Sequence, residues 1–299
     1  MTDSLIDVLA FMSQVQIELD ELDREKLKFA KEELATYYQQ QALRFVKTLR
    51  YLHDIFPSQT GLRILDIGAA PYFLTAFLVD RWGWDIVPIS MKAGVFPGEN
   101  MPVAPHRVVL RLGNRTLELT VWSLNVERDV FPFDMDTFDG VLCLETIEHL
   151  GYSPSHMLAE CHRVLKSDGK LVITTPNSLN LLDTIRLVLN RTIAFPYSGY
   201  GFYGRHQREF TAAELRYLLE ECHFRVKHIE LTNFAHPVNK SMPIKLIYAA
   251  LNSLTDCPLP YFQAKRDHII LCAQPVGCPQ EAYPESLYTF RHLYHLDKS

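Results

Sequence analysis

The sequence predicts an α/β protein with a doubly wound, mostly parallel seven-stranded sheet and an N-terminal helical extension. Apolar runs of strand length alternate with amphipathic runs of helix length along most of the chain. The run 64–71 (ILDIGAAP) has the pattern of a buried strand, a glycine turn and the start of a helix. The composition, 47% hydrophobic and 22% charged, is that of an ordinary globular protein long enough for one large domain plus additions.

The apolar runs predict seven strands, at residues 63–67, 84–90, 121–126, 138–144, 170–175, 224–231 and 268–274. After the first strand, Pro71 suits the first position of a helix. Ser153 and Pro154 predict the start of another helix, and the basic-then-glycine run 166–169 predicts its end. Residues 211–214 (TAAE) have the spacing of a capping box ahead of a further helix.

Composition and spacing divide the chain into three parts. Residues 1–57 form a helical cap that covers the sheet or closes over a ligand, although Tyr37 and Tyr38 themselves are expected to pack. Residues 58–278 form the main domain, with a hairpin-like insertion at 91–120 and a second insertion at 237–263. Residues 279–299 form a tail. The apolar stretch 244–251 is expected to be buried by packing, with a lipid-like substrate as the alternative.

Charge and cysteine usage exclude several classes of protein. A net charge of -5 gives no general attraction to nucleic acid or to an anionic membrane. The six cysteines show no CxxC spacing, and Cys143 and Cys272 lie in predicted strands, which indicates buried thiols. No run reaches the ~18 apolar residues of a membrane span, and the acidic N-terminus is unlike a signal peptide. A cytoplasmic protein of unknown oligomeric state is therefore predicted.

At the glycine turn the chain resembles the class I S-adenosylmethionine-dependent methyltransferases. Asp66, Gly68 and Ala70 match their first motif, and Tyr72 stands where the last glycine of that motif often lies. The segments ETIEHL, TTPN and RHQREFT are similar to the branch with ubiquinone-pathway O-methyltransferases. The resemblance extends over about residues 60 to 275 and implies a Rossmann-like sheet with S-adenosylmethionine above its strand ends.

The resemblance also implies residues for the cofactor. Asp66 and the backbone around Gly68 and Ala70 would hold its methionine end, because an ammonium needs a carboxylate and a carboxylate needs N–H donors. The second strand ends at Ser90 without the usual acidic residue for the ribose. Either Ser90 makes a single contact, Glu99 reaches in from the insertion, or the cofactor binds weakly or not at all. The adenine is expected against the run Asn125, Val126 and Glu127, whose alternative role is a turn at the end of a strand.

Candidate catalytic residues follow the fourth predicted strand. His149 is the candidate general base for a hydroxyl, since imidazole changes charge near neutral pH. Glu145 lies beside it, and His206, later in the chain, is expected to face the substrate. A divalent metal on Glu145, Glu148, His149 and His206 is possible, as the resemblance to metal-using relatives implies, but it is not favoured.

The predicted function is methyl transfer from S-adenosylmethionine to a small molecule, with oxygen as the accepting atom. The aromatic, glycine-rich segment before Arg205 is interpreted as a loop that covers the substrate, and Pro176 and Asn177 as part of the substrate mouth. Three alternatives stay open: a cofactor-binding protein of the same fold without catalysis, a nicotinamide dehydrogenase using Asp85, and a metal-assisted RNA 2′-O-methyltransferase. The acidic net charge argues against the last.

Overall fold

The fold is known from a computed structural model that describes residues 5–18, 30–57, 60–90, 102–194, 204–234, 241–284 and 287. At 5–6, 17–18 and 30–40 it describes the backbone alone. The predictions for the side chains of Tyr37, Tyr38 and Glu99, and for the aromatic segment 195–203, lie outside the described residues.

The described part of the chain contains one sheet of nine strands. These are β1 (Val15–Glu18), β2 (Arg63–Ile67), β3 (Asp85–Ile89), β4 (Ala104–Leu112), β5 (Arg115–Ser123), β6 (Phe138–Leu144), β7 (Leu165–Pro176), β8 (Phe224–Thr232) and β9 (His268–Pro275). Their spatial order is β1-β4-β5-β3-β2-β6-β7-β9-β8. The five central strands β5, β3, β2, β6 and β7 are parallel, and the two strands at each edge are antiparallel. The predicted fold class is confirmed, with two strands more than the seven predicted.

The two additional strands are β1 and β4. As predicted, β4 and β5 form a hairpin around Gly113, whose φ of 60° is left-handed. The end of β5 then pairs with β3 through Trp122 and Ile89, so one strand is both an arm of the hairpin and the third parallel strand. Strand β1 pairs with β4. The N-terminal region therefore contributes an edge strand as well as helices, because β1 finds its partner far along the chain.

The described helices are α1 (Leu5–Met12), α2 (Ala30–Ile55), α3 (Phe73–Phe77), α4 (Ser155–Val164), α5 (Leu181–Val188), α6 (Ala212–Glu221), α7 (Met242–Thr255) and α8 (Pro260–Gln263). Helix α3 continues as a π-helical turn (Leu78–Trp82), and a 3₁₀ turn (Ile147–His149) follows β6.

Two predicted helix boundaries are wrong and one is confirmed. Helix α3 begins at Phe73 and not at Pro71, because Tyr72 before it has a left-handed φ of 65°. Helix α4 ends at Val164, so residues 166–169 belong to β7. At α6 the capping box is present: the Thr211 hydroxyl accepts a bond from the Glu214 N–H (3.1 Å), and the Glu214 carboxylate accepts one from the Thr211 N–H (2.8 Å).

The core lies on both faces of the sheet, as a doubly wound fold requires. Along β2, Ile64 packs with residues of α1, α2 and α3, while Leu65 and Ile67 pack on the opposite face with residues of α4 and α6. Cys143 and Cys272 are buried, as predicted. The N-terminal helices thus cover one face of the sheet and reach its ligand-binding edge.

Helix α7 contradicts the prediction for residues 244–251. Leu246 is 60% exposed and Ile247 is 55% exposed, so these side chains are not buried by packing against the described residues. Within the described ranges, no helix is both long enough and apolar enough to cross a membrane.

Candidate functional site

The glycine turn after β2 brings two parts of the chain into close contact. Gly68 has a φ of 75°, and a Cβ placed there would lie 2.2 Å from Oγ1 of Thr146, which follows β6. The N–H groups of Gly68 and Ala69 donate to the carbonyl of Ile89 at the end of β3 (2.9 and 3.2 Å). The Gly68 N–H that the sequence assigned to a ligand therefore holds the turn, and the glycine is required by conformation and by the space that Thr146 occupies.

Asp66 is the buried acid of this turn. Its side chain accepts a hydrogen bond from the Thr75 hydroxyl (2.6 Å), which connects β2 to α3. Burial raises the pKa of the Asp66 carboxyl, and the bond from Thr75 lowers it in part, which leaves the pKa at about 6. A cation bound beside Asp66 would favour its ionised form, so this carboxyl is suited to bind an ammonium group.

A cavity that opens to solvent lies against the turn, at the carboxyl ends of the parallel strands. Its walls come from the turn after β2, the start of α3, the ends of β6 and β7, and helix α2. They are formed by Arg44, Phe45, Thr48, Asp66, Gly68, Ala69, Ala70, Pro71, Phe73, Leu74, Leu144, Glu145 and Thr174. The Tyr72 ring is buried in the core and is absent from these walls, so it does not close the cavity.

Glu145 forms a charged network at the wall of this cavity. Its Oε2 lies 3.4 Å from Nη1 of Arg44 on α2 and 3.2 Å from Nε2 of His268 at the start of β9. Nδ1 of His268 lies 2.7 Å from Oδ1 of Asp267. Burial alone would raise the pKa of Glu145, but His268 and Arg44 lower it to about 2. Burial would lower the pKa of His268, but Glu145 and Asp267 raise it to about 10. Glu145 is therefore an anion and His268 a cation at neutral pH.

A second cluster contains Glu148, His149 and His206. Glu148 Oε1 lies 3.9 Å from Nε2 of His149 and 4.0 Å from Nε2 of His206, and the two imidazole rings meet edge to face at 4.9 Å. Nδ1 of His149 lies 3.1 Å from the Arg205 carbonyl, and Nδ1 of His206 lies 2.9 Å from Oε1 of Glu209. Each ring is therefore oriented through Nδ1 and presents Nε2 to the same buried carboxylate.

This cluster has the donor set of a divalent metal site. One ligand atom from each of Glu148, His149 and His206 lies within 4.8 Å of the others. Glu148 is fully buried, and its Oε1 has no hydrogen-bond partner among the described residues, whereas Oε2 accepts a bond from Thr175 (3.0 Å). Burial and the Glu145 anion both raise the pKa of Glu148. An ion or a proton would relieve the carboxylate, so the residues fit either. Glu145, which the sequence included among the candidate metal ligands, pairs instead with Arg44 and His268.

The family described as "Methyltransferase domain" matches residues 35–229, about two thirds of the chain. The chain belongs to this methyltransferase family. The resemblance to class I S-adenosylmethionine-dependent methyltransferases is thereby confirmed, and S-adenosylmethionine is the cofactor of that family.

Similarity to individual proteins is lower. The rat (Rattus norvegicus) mitochondrial ubiquinone biosynthesis O-methyltransferase is 29% identical over 143 residues, 48% of this chain and 39% of that protein. The cattle (Bos taurus) protein of the same name is 30% identical over 136 residues, 45% and 34% of the two chains. The chain thus spans well under half the length of these relatives. A crystal structure of an S-adenosylmethionine-dependent methyltransferase from Archaeoglobus fulgidus has a TM-score of 0.48 at 16% identity, covering 85% of this chain and all of that one.

In this methyltransferase chain, the structure brings together only some of the predicted site residues. Asp66, Gly68, Ala70 and Glu145 line the cavity. Ser90, Asn125, Val126 and Glu127 are not among its described walls. Their assignment to ribose and adenine stays a prediction.

Residues 125–127, which the sequence predicts to contact adenine, form a turn at the end of β5. The Asn125 side chain accepts a bond from the Glu127 N–H (3.0 Å), and the Asn125 N–H donates to Asp129 (2.7 Å). Oε1 of Glu127 accepts bonds from the N–H groups of Tyr152 (2.6 Å) and Ser153 (3.0 Å). These groups support the loop before α4, which is the alternative role that the sequence left open.

One other predicted contact is wrong. Asn177, expected at the substrate mouth, is buried, and its Nδ2 donates to the carbonyls of Ala264 and Arg266. Its side chain therefore holds a loop instead of facing a substrate. Arg208 pairs with Glu214 at 3.1 Å and Glu209 with His206 at 2.9 Å, so both charges hold the segment before α6.

Sequence analysis missed Arg44 and His268. Arg44 interrupts an apolar helical run (LRFV), a pattern that also suits a solvated arginine. His268 stands first in a strand, and first residues of parallel strands lie far from the ligand edge. Because β9 is antiparallel to β7, His268 pairs with Pro176 at the ligand edge. An antiparallel last strand would have been the signal that places His268 in the site.

Proposed function

We propose that this chain transfers the methyl group of S-adenosylmethionine to a hydroxyl oxygen of a small-molecule acceptor. The charge pattern of the cavity supports this proposal. Two acidic residues, Asp66 and Glu145, and one basic residue, Arg44, line it at the ends of β2 and β6. The methionine end of the cofactor is a zwitterion. Its ammonium suits the carboxyl of Asp66, and its carboxylate suits the guanidinium of Arg44.

The reaction is an in-line displacement. The acceptor oxygen attacks the methyl carbon, the C–O bond forms, the C–S bond breaks, and sulfur keeps the electron pair. The methyl carbon of a sulfonium is already a strong electrophile, so the protein acts mainly by positioning, an effect that can supply about 7–11 kcal/mol of the barrier. The cavity lined by Gly68, Pro71 and Leu144 supports such a role, since a donor bound there would be held against the strand ends.

A hydroxyl acceptor must also lose its proton, and His149 is the proposed base. Its Nδ1 faces the Arg205 carbonyl, which suits an Nδ1–H tautomer with Nε2 as the basic atom. Nε2 points toward Glu148, whose raised pKa suits it to share a proton within the cluster. The relatives from rat and cattle are named O-methyltransferases, which supports oxygen as the accepting atom.

A second candidate assigns the same cluster to a divalent ion. The observation that favours it is the unpartnered Oε1 of Glu148 facing two oriented imidazoles. Glu148, His149 and His206 would hold the ion, and an acceptor hydroxyl bound to it would have a lowered pKa and need no base. The RNA 2′-O-methyltransferase alternative would use these residues as well, with an RNA acceptor.

Cofactor binding and turnover test the proposal. Calorimetry with S-adenosylmethionine should give a saturable heat, and its absence at millimolar cofactor would refute the function. With methyl-labelled cofactor and a metabolite extract, His149→Ala should lose most product while binding cofactor normally. His228→Ala, which alters a histidine bonded to Tyr51 away from both clusters, is the matched control. Activity that survives a chelator favours the base, and activity restored only by added metal favours the ion.

The compartment and the domain limits stay predictions. The chain is proposed to act in the cytoplasm, although the named relatives are mitochondrial proteins. The division at residues 57 and 278 is likewise proposed, with one qualification from the contacts: α2 lies in the first part yet lines the cavity of the second.

A further inference from the structure

His268 bridges two carboxylates, although it lies outside every segment that resembles a known motif. Nε2 lies 3.2 Å from Oε2 of Glu145, and Nδ1 lies 2.7 Å from Oδ1 of Asp267. A carboxylate only accepts hydrogen bonds, and only the charged imidazolium offers a donor at both ring nitrogens. The two flanking carboxylates therefore favour the imidazolium form of the half-buried His268.

The surroundings hold this pair in place. Oδ1 of Asp267 also accepts the N–H of Phe234 (2.7 Å), and the Phe234 ring lies 4.7 Å from the His268 ring. His268 opens β9 and is paired in register with Pro176 of β7 and Thr232 of β8. The imidazolium is thus fixed by a strand on each side and by one aromatic ring.

Glu145 is fixed in turn. Its N–H donates to the carbonyl of Thr174 (2.9 Å), and its Oε2 is shared between His268 and Arg44. Oε1 is buried and has no hydrogen-bond partner among the described residues, and Glu145 lines the cavity. A buried anionic oxygen without a partner costs free energy unless a ligand pairs with it.

We propose that Asp267 and His268 are positioning residues that hold Glu145 Oε1 as a fixed anion for the sulfonium of the methyl donor. This inference rests on the proposed function. It adds a consequence: the site prefers the charged donor to the product, S-adenosylhomocysteine, whose thioether is neutral. The loss of one positive charge on transfer then weakens binding of the product and aids its release.

The other charges around Glu145 are consistent with this role. Arg44 and His268 carry the positive charges that lie against Glu145, and Lys47 is a further cation near Asp267. Asp66 adds an acidic group to the cavity wall, and Glu148 favours its neutral form. Attraction for a second cation in the cavity is therefore assigned to Glu145 and Asp66.

The test compares two ligands that differ in one methyl group and one charge. The dissociation constants of S-adenosylmethionine and S-adenosylhomocysteine are measured by calorimetry on the full chain, and their ratio is the readout. The wild type should prefer the charged donor. His268→Gln retains a donor but not the charge that lowers the pKa of Glu145. Glu145 should then take up a proton, and the preference for the charged donor should fall by about tenfold or more. Glu145→Gln should do the same, and His268→Lys should restore most of it. His228→Gln is the control and should leave the ratio unchanged.

The outcomes separate this inference from the proposed function. If neither ligand binds the wild type, the proposed function fails. If both bind but the wild type shows no preference for the donor, or His268→Gln and Glu145→Gln keep the wild-type ratio, the positioning role is refuted and the function stands. If His268→Lys behaves like His268→Gln, the charge of His268 is not what matters. Should a His268 variant fail to fold, Glu145→Gln decides, since it changes one atom of the wall.

Discussion

Gly68→Ala should destabilise this protein far more than Gly61→Ala, although the two glycines have nearly the same backbone conformation. Their φ angles are 75° and 73°. A left-handed conformation costs an L-residue about 1–2 kcal/mol, and this cost is common to both substitutions. A Cβ at residue 61 meets nothing within 4 Å, whereas a Cβ at residue 68 would overlap Oγ1 and Cγ2 of Thr146 at 2.2 and 2.8 Å.

The additional cost at residue 68 follows from how Thr146 is held. Its hydroxyl lies 3.1 Å from the Ile67 carbonyl and 3.2 Å from the Leu144 carbonyl, and room for the new methyl group requires it to leave that position. A lost hydrogen bond contributes about 1 kcal/mol, and overpacking typically costs ~1–3 kcal/mol. Gly68→Ala should therefore lower the free energy of unfolding by about 3–6 kcal/mol, against ~1–2 kcal/mol for Gly61→Ala.

Urea unfolding of both variants, followed by circular dichroism, measures the difference. Thr146→Ala in the Gly68→Ala background removes Oγ1 and Cγ2 and leaves only Cβ near the new methyl group, at 3.0 Å. The double variant should recover at least about 1 kcal/mol relative to the sum of the single variants. Equal losses for Gly61→Ala and Gly68→Ala, or strictly additive effects with Thr146→Ala, would show that the close approach to Thr146 does not make the turn require glycine.

Three further predictions concern single side chains. Because the pKa of Asp66 is raised from 3.8 to about 6 on folding, the folded state loses stability as pH rises from 3.8 to 6. In urea unfolding, Asp66→Asn should therefore be more stable than wild type at pH 7 by up to about 3 kcal/mol, and equal to it below pH 4. The same variant should not bind S-adenosylmethionine in calorimetry. Arg44→Gln should weaken binding of S-adenosylhomocysteine by about tenfold or more and leave methylthioadenosine, which lacks the amino-acid end, unaffected; equal losses for the two ligands would argue against a carboxylate contact. Thr211→Ala removes a helix cap and should lower the free energy of unfolding by about 1 kcal/mol. It should leave the affinities for S-adenosylmethionine and S-adenosylhomocysteine unchanged, since Thr211 is not among the described walls of the cavity.

Sequence predicted best where a local pattern determines the structure. Residues 138–144 read as a buried strand and form β6 with the same bounds, because parallel central strands are apolar on both faces. The capping box at Thr211 and Glu214 was predictable for the same reason, since all its atoms lie within four residues. The fold class followed from the order of such segments.

The rest depended on contacts between distant residues. Strand β1 has four residues and exists through its partner β4. The start of α3 depends on the backbone of Tyr72, an aromatic residue in a conformation that glycine favours. Arg44, Glu145 and His268 come from three separate parts of the chain, and of the three only Glu145 was predicted to lie in the site. The antiparallel return of β9 brings His268 to the Glu145 carboxylate, and helix α2 brings Arg44.

Under the proposed function, helix α2 contributes to donor binding from outside the sheet. Arg44, Phe45 and Thr48 occupy one face of that helix and form a wall of the cavity, whereas the turn that holds Asp66 is confined between packed strands. Under the proposed function, a substitution at Arg44 would therefore change binding of the methionine end of the donor without changing any strand. Donor affinity and the conformation of the strands could then be varied separately.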